Sequence, residues 1–360
     1  TRHQNDSFFP AQFAAYRRHA WAVARRGAHP ASMKTDVILL GATPPAGLGD
    51  ALAARYEIVG PLPGSAAFAE RAQAMAADER QRVRAIVTIG AVPMTREAMA
   101  LFPALGLVCC IGSGYEGVDV AAARERGIAV ALGAGTGAAS VADVAIGLMI
   151  ASVRGFRAES QRLAQGSWSG NARERAPMRH GLTGRRLGVY GMGAIGREIA
   201  QRARGFAMQI GYHNRHPLDG VDARYFATLG ALAQWCDVLM VSVRAGADTR
   251  HAVDAGILAA LGDDGHVVNI ARGSVIDEAA LIDALERAVI AGAGLDVFEH
   301  EPAVNPKLVK LARAGKVVLL PHMGSATIEG RVDMGEKVII NIKTFMDGHR
   351  PPDRVLPSML

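Results

Sequence analysis

The sequence predicts an α/β protein built from two doubly wound parallel-sheet domains. Three observations carry this. The chain has 360 residues, too many for one small domain. Short apolar runs ending in Gly or Pro alternate along it with Ala-rich helical stretches, the pattern of a parallel sheet covered by helices. The alternation also comes as two successive series, separated by a long helix and a polar, Gly-containing stretch at 164–181.

In order, VILLGA (37–42), YEIVGP (56–61), AIVTIG (85–90), LVCCIG (107–112) and IAVALG (128–133) read as the first strands, with helical segments such as Ser65–Ala77 and Val120–Gly127 between them. One long helix is expected over Ala138–Arg157. The second series is RLGVYGMG (186–193), MQIGYHN (208–214), VLMVSV (238–243), HVVNIA (266–271), AGLDVF (293–298) and KVVLLPH (316–322). A final helix, Glu329 to Asp347, is expected to pack back on the first domain. That domain is then discontinuous, and the two crossings form a hinge over a cleft.

Composition narrows the class. Hydrophobic residues make up 50% and aromatics only 5%, which suits Ala-rich helices on Val/Ile/Leu strands. No apolar run reaches the ~18 residues that span a bilayer; the best, Val141 to Val153, is short and contains Asp143. Three cysteines make no disulfide framework. Cys109 and Cys110 read as core packing, and with Cys236 they fit a reducing cytoplasm. No Cys-x-x-Cys or His-x-x-x-His spacing points to a metal. The formal charge of +6 is concentrated at the start: residues 1–32 hold Arg2, Arg17, Arg18, Arg25 and Arg26 against Asp6, a net of +4, leaving +2 for the rest. Without a basic stripe in the body of the chain, neither nucleic acid nor membrane is an expected partner. Met33 reads as a natural start preceded by an extension; an Arg-rich, acid-poor targeting peptide is the rival reading.

Gly191-Met192-Gly193-Ala194-Ile195-Gly196 follows a strand and opens a helix, Arg197–Arg204. Alone, Gly-x-Gly-x-x-Gly is a weak signal; in that setting it marks a Rossmann dinucleotide site. The first glycine permits the tight turn, the second lets backbone approach a pyrophosphate, and the third brings helix and strand together. At the end of the next strand an NAD site usually carries an acid. Here the run is Tyr212-His213-Asn214-Arg215-His216, with no acid before Asp219. Arg215 can pair with the 2′-phosphate of NADP, Asn214 can donate to it, and His213 or His216 can add charge if protonated. NADP is therefore the expected cofactor, with NAD possible if the segment is only a solvated turn.

Three further motifs end the later strands, where ligands bind in open α/β sheets: Asn269-Ile-Ala-Arg272-Gly273, Asp296-Val-Phe-Glu-His-Glu301-Pro302 and Pro321-His322-Met-Gly324-Ser325. With the Gly191 motif, the Gly112–Asp119 loop and Ser140-Val-Ala-Asp143, they resemble the D-isomer-specific 2-hydroxyacid dehydrogenases, among them glyoxylate/hydroxypyruvate, hydroxyphenylpyruvate and 2-ketogluconate reductases. The resemblance covers roughly Lys34 to the chain end. It implies a flavodoxin-like substrate domain (34–132 with 323–360), an NAD(P)-binding Rossmann domain (133–322), and a disordered or non-native extension over 1–33.

Reduction of a 2-keto acid adds hydride to a carbonyl carbon while a proton reaches the developing alkoxide. His322 is the natural donor. A carboxylate beside it would favour the imidazolium and hold the ring; the resemblance assigns this to Glu301, with Glu299 the rival. Arg272 would grip the substrate carboxylate and polarise the keto oxygen. The resemblance further implies that Asp296, Val243, Ile270, Ala271, Arg272 and Gly324 border the cofactor. It places Ile89, Gly90, Ser113 and Gly114 at the substrate. The plainer alternative makes Arg272 and Glu301 a structural ion pair and His322 a satisfied histidine. Arg244 stands where many relatives have proline, and Asp143 where glutamate is common. Trp168 reads as core or interface packing. A homodimer is expected through Val141–Arg157 and the Trp168 segment. A dinucleotide-sensing corepressor on the same fold is the rival function.

Overall fold

The computed structural model describes residues 36–45, 47–62, 68–133, 135–167 and 178–356. The N-terminal extension, Met33 and Trp168 lie outside them. The chain divides into two compact units: one runs to Thr136 and resumes at Ile328, and the other is Gly137–Thr327.

The first unit holds β1 (Val37–Leu40), β2 (Glu57–Val59), β3 (Val83–Ile89), β4 (Leu107–Ile111) and β5 (Ala129–Leu132), ordered β2-β1-β3-β4-β5. All pairs are parallel, and the order is that of flavodoxin-like sheets. β1 shows why these strands read as unbroken apolar runs. Val37 and Leu39 enter one core and Ile38 and Leu40 the other, so alternation puts both faces against hydrophobic layers. The helix Ile328–Met346 belongs to this unit and supplies Met334, Val338 and Ile342 to the layer on β4.

The second unit holds β6 (Arg186–Tyr190), β7 (Gln209–His213), β8 (Arg224–Tyr225), β9 (Val238–Val241), β10 (His266–Asn269), β11 (Gly292–Leu295) and β12 (Val317–Leu319). They are ordered β12-β11-β10-β9-β6-β7-β8, again all parallel. The order reverses between β6 and β9, the switch point at which such sheets open a crevice for ligands. Several helices start on residues the sequence places there for capping: Thr228, Asp254 and Asp277 each accept the N–H three residues on.

Two expectations are corrected. The single helix over Ala138–Arg157 is two helices, Ala138–Val153 and Phe156–Ala164, bent by 66°. Gly155, at φ 64°, takes the left-handed conformation that ends the first and caps the second. β8, two residues long, is too short to carry a periodic signal and was not anticipated. Among the described residues no single helix is long and apolar enough to cross a membrane.

Candidate active site

The glycine loop leaves β6 at the switch point. Gly191 has φ 100°, and a Cβ there would lie 2.5 Å from Val243 Cα, so both conformation and proximity demand glycine. A Cβ on Gly196 would come within 2.3 Å of the Gly191 carbonyl oxygen, the close helix–strand approach the motif requires. Gly193 differs: a Cβ there would meet nothing within 4 Å. Its bare backbone faces open space at the start of the helix Ala194–Arg204, a cradle suited to the pyrophosphate of a dinucleotide. Ile195 is half-buried against the same core layer as Met192.

The loop is braced from β7. Met192, 1% exposed, donates its N–H to Asn214 Oδ1 at 2.7 Å. Ser242 donates its hydroxyl to the Gly191 carbonyl at 2.9 Å. His213 is tied to the sheet, donating from Nδ1 to the Phe226 carbonyl (2.9 Å) with its ring stacked on Tyr190. Beyond them opens a cleft of about 620 Å³, lined by Gly191, Gly193, Asn214, Val243 and the exposed side chains of Arg215, His216 and Arg244, with Asp248 the one carboxylate among its lining residues.

The three strand-end motifs meet in the same unit. Asn269, 1% exposed, closes the first: its Oδ1 accepts Ala271 N–H and its Nδ2 donates to the Arg272 carbonyl, both at 3.0 Å. Ile270 and Ala271 are buried beside it. A Cβ on Gly273 would lie 1.9 Å from the Phe298 carbonyl carbon, so the Arg272 turn and the Phe298–Glu301 segment pack backbone to backbone. Glu301 accepts Phe298 N–H through Oε1 (2.9 Å) and lies 2.7 Å from His322 Nδ1 through Oε2. Its carboxyl is held below the usual range. Burial works against this, but the hydrogen bonds from His322 and Phe298, with the charges of His322 and Arg272, outweigh it. The rival carboxylate is committed elsewhere: Glu299 Oε1 sits 2.7 Å from His251 Nε2 and 3.1 Å from Arg250 Nη2.

His322 adopts φ 51°, a left-handed conformation costing on the order of 1–3 kcal/mol that surrounding contacts must hold. Asp296 supplies them. It is 2% exposed, and its two oxygens accept the N–H groups of Met323 and Gly324, each at 2.8 Å. Burial pushes the Asp296 carboxyl up, with Glu301 adding to the effect; these two N–H groups and His322 pull the other way.

In the first unit, the ends of β3 and β4 come together. A Cβ on Gly90 would lie 2.2 Å from the Gly114 carbonyl oxygen, and Gly117 N–H donates to the Gly90 carbonyl at 2.6 Å. Ile89 is 40% exposed, Thr88 is buried, and Ser113 is exposed at the tip. A two-segment surface of backbone and small side chains results.

The bracing residues were invisible as such in the sequence. Asn269 had one signal: Asn directly before a strand-end turn, whose side chain can accept the N–H two residues on. The Asn214 and Asp296 bonds and the His251–Glu299 pair had none, because each joins segments far apart in the chain.

The profile of the family described as D-isomer specific 2-hydroxyacid dehydrogenase, NAD binding domain, matches residues 146–324. The chain is 39% identical over 263 residues to a 2-ketogluconate reductase of Gluconobacter oxydans (strain 621H), covering 73% of this chain and 83% of that protein. It is 34% identical over 268 residues to a glyoxylate/hydroxypyruvate reductase of Arabidopsis thaliana, covering 74% and 81%. Among solved structures, it superposes on an NADPH-dependent glyoxylate/hydroxypyruvate reductase from Sinorhizobium meliloti in complex with NADP and malonate. The TM-score is 0.80 at 36% identity, over 89% of this chain and 97% of that one.

Proposed function

The chain belongs to the D-isomer-specific 2-hydroxyacid dehydrogenase family, and on that premise we propose that it reduces a small 2-keto acid, of the glyoxylate, hydroxypyruvate or 2-ketogluconate kind, to the D-2-hydroxy acid, using NADP in preference to NAD. The contact between His322 Nδ1 and Glu301 Oε2, at 2.7 Å, carries the reading. A carboxylate accepts only, so the Nδ1 proton is spent on orienting the ring, and Nε2 is left to exchange a proton with the substrate oxygen.

When bound, the nicotinamide supplies the hydride that adds to the carbonyl carbon. Arg272 grips the substrate carboxylate and polarises the keto oxygen with its permanently charged fork. His322 delivers the proton to the alkoxide as charge builds there, and accepts it in the reverse direction. Gly191, Met192, Gly193, Ala194, Ile195 and Gly196 cradle the pyrophosphate, while Val243, Ile270, Ala271, Asp296 and Gly324 border the rest of the cofactor. Gly90, Ser113 and Gly114 offer backbone groups to the substrate carboxylate, with Ile89 beside them.

The NADP preference is supported by the exposed Arg215, His216 and Arg244 around the cofactor cleft and by the NADP in the Sinorhizobium relative. Asn214 braces Met192 through Oδ1, and its Nδ2 group can donate to the 2′-phosphate. Pairing with a second copy is proposed through Val141–Arg157 and the adjoining Trp168 segment; within the described part, Phe156 is exposed. The test is oxidation of NADPH and NADH, followed at 340 nm, with glyoxylate, hydroxypyruvate and 2-ketogluconate. Turnover with at least one acid, faster at limiting NADPH than NADH, is expected. Nucleotide binding without turnover of any 2-keto acid would remove the enzymatic reading; equal kcat/KM for both nucleotides would remove the NADP preference.

A further inference from the structure

A second cavity, of about 720 Å³, lies in the first unit at the N-terminal ends of β3, β4 and β5. Its lining includes Gly106, directly before β4, and Ile128 and Ala129, where β5 begins. Gly90 and Ser113 follow the other ends of these parallel strands, so the cavity and the proposed substrate surface lie at opposite ends of the strands of one sheet.

Four arginines and one histidine line it, delivered by separate segments. Arg84 comes from β3 and Arg124 from the helix Val120–Glu125. His349 and Arg350 come from the turn after the helix Ile328–Met346, and Arg354 from the extended stretch that bridges Ala131. No Asp or Glu is among the lining residues. The neighbouring carboxylates are engaged: Asp36 with Arg84 at 2.6 Å, Asp353 with Lys337 at 2.8 Å, and Asp347 with Lys343. Phe345 forms an apolar wall, with the Arg84 guanidinium 5.6 Å from its ring centroid.

Ordinary helix chemistry explains part of this. Arg124, His349 and Arg350 stand at helix C-termini, where a cation complements about half a negative charge. Two such ends offset about one of the three charges on Arg124, Arg350 and Arg354, with Arg84 already balanced by Asp36. About two positive charges therefore remain facing one cavity.

We propose that this cavity binds a small, multiply charged anion, a phosphate ester or polycarboxylate. The volume is that of a small-molecule site. Arginine forks bind phosphate and carboxylate groups bidentately, and a surplus of about two charges favours a dianion over chloride.

Titration calorimetry on the full chain tests this with pyrophosphate and with citrate, against sodium chloride of matched ionic strength. Because the cofactor cleft also attracts anions, two double variants are compared: Arg124→Gln/Arg350→Gln in the cavity and Arg215→Gln/Arg244→Gln in the cleft. The proposal expects saturable binding that weakens about tenfold in the first variant and persists in the second. Binding of pyrophosphate alone assigns a phosphate ester, and of citrate alone a polycarboxylate. No binding beyond the chloride control, equal affinity in the cavity variant, or loss only in the cleft variant overturns it. Neither arm depends on turnover, so its outcome stands apart from that of the reductase reading.

Discussion

Gly273 and Phe298 meet backbone against backbone, with room for no side-chain atom between them: a Cβ on Gly273 would sit 1.9 Å from the Phe298 carbonyl carbon and 2.3 Å from Glu299 N. Arg272 directly precedes this contact, and Glu301 hydrogen-bonds the N–H of Phe298. The spacing of Arg272, the proposed substrate-binding cation, and the carboxylate beside His322 therefore depends on a residue that takes no part in the proposed chemistry.

Gly273→Ala is expected to separate these two backbones. Overpacking of this kind costs about 1–3 kcal/mol, and misplacing reactive groups by about 1 Å costs roughly 100-fold in rate. Thermal melts and steady-state kinetics on the variant should show a lower Tm and a kcat loss far beyond what the melt predicts. Wild-type kcat would remove the coupling.

Glu301 and Glu299 make a paired comparison. Glu301→Gln removes the anion that orients His322 and is expected to lower kcat roughly 10- to 100-fold. Glu299→Gln breaks contacts to His251 and Arg250 instead, with an expected stability loss of about 1 kcal/mol and kcat within about threefold. Kinetics on both variants check the assignment; the reverse ranking would exchange their roles.

Asn214→Ala leaves the buried Met192 N–H without its acceptor. A stranded buried donor costs about 1–3 kcal/mol, relieved by letting the glycine loop shift. The KM for the nucleotide is expected to rise about tenfold, equivalent to ~1.4 kcal/mol, with little change in the KM of the keto acid. Nucleotide titration by fluorescence checks this directly.

His266 gives the fold a pH dependence of its own. It is 7% exposed, its Nδ1 lies 2.8 Å from Ser152 Oγ, and burial, followed by the charges of Arg185 and Arg179, lowers its pKa to about 4. The unfolded chain takes up this proton near pH 6.5, well before the folded protein does. Stability is therefore full above pH 6.5 and drains as pH falls toward 4, by up to about 3 kcal/mol for this group. Denaturant unfolding across that interval should show a decline that His266→Gln flattens; parallel curves would refute it.

The sequence by itself determined the two series of strands, the long apolar runs of sheets buried on both faces, and the place of the cofactor loop between a strand and a helix. These are local patterns: a short continuous apolar run, a turn glycine, an Ala-rich helical stretch. It also placed Arg272, Glu301 and His322 at strand ends. Tertiary structure alone decided which glutamate meets His322, that Asn214 braces the glycine loop, and that Asp296 holds the backbone that follows the left-handed His322. It also parted the expected long helix at Gly155. The reason is range. Glu299 and Glu301 carry the same chemistry two positions apart, and only the packing of distant backbones, such as Gly273 on Phe298, turns one toward His251 and the other toward His322.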